Sequence, residues 1–131
     1  MAEAILVSDQ IEAGAEFARE FENFRKESVV FWVKPIDSED WKLYIASDDI
    51  DYTNIDIAYR EVLRISKPNM WLGPLQIKLV NTSEDIAAAA IGVRDRGGAK
   101  LAVDYGGSSL GGLEIDRAYI YREDLKTKAI Y

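Results

Sequence analysis

The 131-residue chain is predicted to fold as an α+β domain: a mixed, partly antiparallel five-stranded sheet packed with three helices, in the order α-β-β-α-β-α-β-β. Three observations lead there. Three stretches carry apolar residues at helical spacing, and five others alternate or run continuously apolar as strands do. Clusters of Pro, Gly, Asn and Ser fall between these stretches and mark the turns. The length suits one domain over residues 1–131, with 1–7 and 123–131 expected to fray.

Residues 9–27 read as the first helix. Ile11, Ala15 and Ala18 form one apolar row, with Phe17, Phe21 and Phe24 beside it, and Glu12, Glu16, Glu20 and Glu22 fill the other face. Asp9 and Glu12 have the spacing of a capping box. Residues 29–33 are continuously apolar, the pattern of a strand buried on both faces. Residues 41–46 form the second strand, with Trp41, Leu43 and Ile45 on one side and Lys42 and Tyr44 on the other. A six-residue polar loop joins the two as a hairpin.

Thr53 is the expected N-cap of a second helix over 54–65, whose buried stripe is Ile55, Ala58, Tyr59, Val62 and Ile65. Pro68 ends it, and Met70, Trp71 and Leu72 follow on a loop. Residues 75–80 alternate as a third strand. Asn81, Thr82 and Ser83 then cap an alanine-rich third helix, which closes with Arg94, Arg96 and the Gly97-Gly98 pair. Residues 100–105 and 113–121 are the last two strands. In the final one Ile115, Arg117, Tyr119 and Tyr121 are expected on one face, with Asp116, Ala118 and Ile120 on the other. The helical links from strand two to three and from three to four suit parallel crossovers.

Composition excludes more chemistry than it suggests. The chain has no histidine and no cysteine, so neither a Ser-His-Asp or Cys-His triad nor a Cys/His zinc site can form within it. Asp48-Asp49-Ile50-Asp51 does not make a calcium loop, because Thr53 and Asn54 stand where that pattern needs a ligand and a glycine. No metal and no cofactor is expected. The net charge is −7, with fifteen acids against eight bases in residues 1–67 and eight of each in 68–131. Such a surface repels phosphate backbones, so no nucleic acid is expected as a partner. No apolar run is long enough to span a membrane, and residues 1–7 lack a basic leader, so no membrane association and a cytoplasmic location are expected.

The remaining candidate is glycine-rich. Gly106, Gly107, Ser108, Ser109, Leu110, Gly111 and Gly112 lie between the last two strands, where glycine permits positive φ or close approach of another group. Gly107 to Gly111 matches G-x-S-x-G, but a strand follows in place of the required helix and no histidine can serve the serine. The loop also lacks the lysine of a Walker motif. A backbone anion nest is left, with Arg94, Arg96 and Lys100 as the charge that would support it. Asp104 with Glu114 or Asp116 is a weaker carboxylate pair.

No catalytic residue is assigned. The leading expectation is a non-catalytic protein-binding domain, interacting or self-associating through the glycine loop and the Trp71 loop. The alternative is a small-molecule, phosphate or nucleotide site formed by residues 105–113, taking a small anionic ligand.

Overall fold

The computed structural model describes residues 8–66, 76–98 and 100–123. The loop carrying Met70, Trp71 and Leu72 lies outside them. Three helices, α1 (Ser8–Glu22), α2 (Ile55–Ser66) and α3 (Asp85–Arg96), accompany the strands β1 (Val29–Pro35), β2 (Lys42–Ser47), β3 (Ile77–Asn81), β4 (Val103–Tyr105), β5 (Ser109–Leu110) and β6 (Leu113–Ile120). The α+β class and element order hold, with one addition: the glycine-rich stretch contains the short strand β5. None of the described helices is long and apolar enough to cross a membrane.

The main sheet runs β3-β2-β1-β6-β4. β2 and β3 are parallel, linked through α2 as expected. The pairs β1–β2, β1–β6 and β4–β6 are antiparallel. The expected parallel crossover from β3 to β4 does not form. Those two strands occupy opposite edges and point in opposite directions, because β2, β1 and β6 fill the space between them. α3 instead crosses the sheet from edge to edge.

β1 explains the two-sided core. Val30 and Trp32 join α1 and α2 residues such as Phe17, Phe21, Ala58 and Val62 on one face. Val29, Phe31 and Val33 join Ile86, Ala87 and Ala90 of α3 on the other. A strand whose neighbouring side chains enter opposite cores must be apolar throughout, which is the pattern of 29–33. The alanines of α3 keep that helix thin and let it lie close on the sheet.

The side-chain alternation expected for β6 needs one correction. Ile115 shares the α3-side core with Ala118 and Ile120, instead of a face with Tyr119 and Tyr121. Lys34 pairs with Arg117 but the next residue, Pro35, pairs with Ile115, so Asp116 is an extra residue in the ladder. That bulge inverts the alternation on its far side. The carboxylate of Asp116 meets Lys34 Nζ at 2.5 Å. Asp104 pairs with Arg117 at 3.0 Å, so each of these acids has a basic neighbour instead of an acidic one.

Helix ends also differ from expectation. α2 is capped by Asn54, whose carbonyl accepts from Ala58 N–H; Thr53 bonds to the Asp51 carboxylate instead. α3 starts after Glu84, which makes no side-chain cap. Thr82 Oγ1 donates to Ser28 Oγ instead, while Asn81 Nδ2 donates to Ile50 O and its Oδ1 accepts from Ser83 N–H in the turn before the helix.

A chain of hydrogen bonds holds α1 to the sheet. Trp32 Nε1 donates to the Tyr121 hydroxyl at 2.8 Å, and that hydroxyl donates to Ile11 O at 2.5 Å. Gly14 sits directly above them. A Cβ there would lie 2.6 Å from the Tyr121 oxygen and 2.8 Å from Trp32 Nε1, both closer than contact allows. Tyr121→Phe should therefore cost about 1–3 kcal/mol, because it strands a buried N–H and a carbonyl without removing bulk. Chemical denaturation of the two proteins measures this directly.

Gly111 and Gly112 form the two-residue turn between β5 and β6, with φ of 59° and 87°. Positive φ at both central positions is the signature of a type I′ hairpin. Gly111 also faces α3, where a Cβ would lie 2.4 Å from Ile86 Cα and 2.5 Å from Asp85 O; at Gly112 nothing lies within 4 Å. Gly112→Ala should cost about 1 kcal/mol of backbone strain, and Gly111→Ala at least about 2 kcal/mol, since backbone atoms must move. Equal losses in urea denaturation would refute the close approach to α3.

Candidate functional site

The nine-residue glycine stretch is largely accounted for by folding. Leu110 is buried in the α3-side core, and Ser108 O accepts from Ile115 N–H. The Tyr105 hydroxyl donates to Ser109 O at 2.9 Å and lies over Gly107, where a Cβ would meet it at 2.4 Å. Gly106, Ser108, Ser109 and Gly112 are exposed. The hairpin touches α3 at Ile86, whereas Arg94 is eight residues further along that helix, about 12 Å at the helical rise. Arg94 thus belongs to the opposite end of α3. Arg96, the last residue of that helix, and Lys100 after it are exposed. Trp71 is outside the described residues.

A different site forms where α1 hands over to β1. Residues 23–27, expected to continue the first helix, leave it through turn hydrogen bonds from Phe24 N and Arg25 N to Phe21 O. The chain has to reverse there to enter the sheet, and three partners hold it in that path. Ser47 Oγ donates to Lys26 O at 2.6 Å. Ser28 N–H donates to Ala46 O at 2.7 Å. Arg94 Nη1 donates to Ser28 O at 2.9 Å, while its Nε bonds to Asp95. Arg94 is 6% exposed, and its role on the Ser28 carbonyl explains why a charged residue is buried among alanines.

Glu27 is fixed between these two anchored residues and lines a cleft of about 700 Å³. Glu22 from the end of α1 stands beside it; Asp48 and Asp49 come from the loop after β2. Lys26, Ser28, Val29, Val30, Arg94, Arg122 and Glu123 complete the lining. Among the described residues, no three acidic groups gather closely enough to hold a metal ion.

Glu27 is the perturbed group. Burial, reinforced by the charge of Glu22 and by a hydrogen bond between the two side chains, pushes its carboxyl up to about 9. As two carboxylates the pair could only repel, and Oε2 of Glu27 is buried with no donor to satisfy it. A proton on Glu27 resolves both problems, because its hydroxyl can donate to the Glu22 side chain. Glu27 therefore keeps its proton at neutral pH. Sequence periodicity gives no sign of this, because it places Glu27 at the end of a solvated helix. The available signal is its position two residues before a strand that is buried on both faces.

No family model, curated protein or solved structure matches this chain.

The proton carries a stability consequence. Between about pH 4.5 and 9 the folded state retains it while the unfolded state has lost it, so rising pH destabilises the fold through this window. The slope from a single such group is about 1.4 kcal/mol per pH unit. Glu27→Gln, which imitates the protonated form, should therefore exceed the parent in stability above about pH 5, with a gap that widens towards pH 9. Melting curves of both proteins across that range check it; parallel curves would mean that Glu27 ionises normally.

Proposed function

We propose that this chain is a small-molecule-binding domain whose ligand occupies the cleft between the end of α1 and the start of β1. The observation that carries the proposal is Glu27, a carboxyl held in its neutral form inside a cleft lined by charged groups. A strongly perturbed acid in a concave site is a common mark of function, since burying it costs stability. A volume of about 700 Å³ lies within the range of small-ligand pockets. The alternative address, an anion held by residues 105–113, has weaker support because the hairpin uses Gly111 to pack against α3.

Binding to another protein or to a second copy of the chain is the second reading. Ile57 and Leu63 are half-exposed on α2 and Tyr52 just before it is 91% exposed, side chains of the kind that interfaces use.

A thermal-shift screen of small polar metabolites tests the first, with Asp49→Trp as the control. Asp49 contributes its backbone N–H and carbonyl to local hydrogen bonds, so its side chain can be enlarged to fill the cleft. A true ligand at about 100 times its dissociation constant adds about 2.7 kcal/mol, several degrees for a domain of this size. The shift should appear in the parent and vanish in Asp49→Trp. A flat screen, or equal shifts in both, would remove the cleft as the site. Sedimentation of the same sample serves the second reading, which a monomer without a stable partner would leave unsupported.

A further inference from the structure

The two edges of the sheet are finished differently. On the β3 edge the Tyr59 hydroxyl of α2 accepts from Leu79 N–H at 3.0 Å, so a strand donor there has a partner. The β4 edge has no such cover among the described residues. Tyr121 N–H donates to Val30 O, so Tyr121 and Tyr119 turn their backbone groups towards β1, and Ile120 and Ala118 turn theirs towards β4. Val103 and Tyr105 stand opposite Ile120 and Ala118 and bond to them. Asp104, between the two, therefore has its N–H and C=O on the outer rim, where an unpaired strand is a template for another.

The approach to this rim is open. Leu101 is 74% exposed, and Ala102 beside it is exposed too. Above the strand α3 gives way to Gly97, where a Cβ would lie 3.6 Å from Val103 Cγ2, and then to Gly98. Neither glycine brings a side chain over the rim.

We infer that β4 is a self-association edge, which joins β4 of a second copy in antiparallel register about a two-fold axis at Val103. The edge is self-complementary in that register. Ala102 of each copy faces Asp104 of the other, and the two exchange N–H to C=O bonds. Leu101 comes opposite Tyr105, so an exposed leucine gains an aromatic neighbour on the face that Val103 and Tyr105 share. Like charges stay apart: Asp104 meets an alanine, Lys100 meets Gly106, and each Asp104 is paired with Arg117 of its own chain at 3.0 Å. Other acids of this −7 chain stand elsewhere. Asp48, Asp49, Asp51 and Asp56 belong to the loop after β2 and the start of α2, and β1 and β6 separate β2 from β4. Two negative molecules can therefore meet at this edge with little repulsion. One short strand per copy is small beside a standard interface, so the dimer exchanges with monomer.

This is independent of the cleft. It rests on the second reading, self-association, and assigns it a surface other than Ile57, Leu63 and Tyr52.

The lack of cysteine opens a direct test. Val103 faces its own copy as a non-hydrogen-bonded pair, with Cα atoms about 4.5 Å apart and within disulfide reach. Val103→Cys should give a covalent dimer on mild oxidation, while Lys78→Cys, exposed on the β3 edge, should stay monomeric at the same concentration. Sedimentation of the parent over a concentration series should show its mass rising towards that of a dimer. Asp104→Pro should abolish the rise with little change in melting temperature, because it removes an N–H that makes no bond to β6. Leu101→Lys, at an exposed position, should weaken association about tenfold or more, since two symmetric contacts are lost. Equal cross-linking of the two cysteine variants, or a dimer that survives both Asp104→Pro and Leu101→Lys, overturns the edge and leaves self-association through another surface standing. A parent that stays monomeric throughout, with no Val103→Cys cross-link, overturns both.

Discussion

The Tyr121 hydroxyl is the point on which the arrangement of α1 and the sheet depends. It accepts from Trp32 in the central strand and donates to the Ile11 carbonyl in the first helix. The Trp32 partner is buried and the Ile11 carbonyl partly so, in an apolar layer where an unmade hydrogen bond is expensive. Burial raises the hydroxyl's own ionisation well above the ordinary range, so it stays protonated and can always donate. Gly14 is the steric counterpart, since any side chain there would push the helix off the bond. The consequence reaches the far end of the helix: with Ile11 tied down, Glu22 is brought beside Glu27 where the chain enters β1.

That placement gives the cleft its character. The segment before β1 is bound by Ser47 and Ala46 of the neighbouring strand β2 and by Arg94 of α3, which packs on one face of the sheet. None of these contacts involves the Glu27 side chain. Its backbone is held from both sides while its carboxyl is left in a poorly solvated position next to another acid. The fold thereby sustains an ionisation state that the isolated sequence would not adopt. A strained or unpaired group kept in place by an otherwise satisfied framework is a frequent arrangement at functional sites.

The glycine-rich stretch illustrates how one composition serves two purposes. Glycines between strands read equally well as a ligand loop or as a tight turn, and local sequence alone does not separate them. The separation comes from α3, whose Ile86 and Asp85 backbone lies against Gly111. Arg94, grouped with the loop as charge to support an anion nest, lies towards the other end of its helix. Distance along the chain between a helix C-terminus and the next hairpin says little about distance in space, because the helix itself spans the sheet.

By itself, the sequence determined the α+β class, the number and order of the main elements, and the two-sided burial of β1. These follow from periodicity, which is a local property: a residue's spacing from its neighbours sets the face it occupies. It also ruled out histidine and cysteine chemistry outright. The tertiary structure alone decided the sheet order, the Asp116 bulge that turns Ile115 to the other face, and the exit of the chain from α1 before Glu27. It alone decided the cleft as well. Glu22, Glu27, Asp48, Arg94 and Arg122 come from four separate parts of the chain, and the proton kept by Glu27 exists only because folding removes the water that would have taken it.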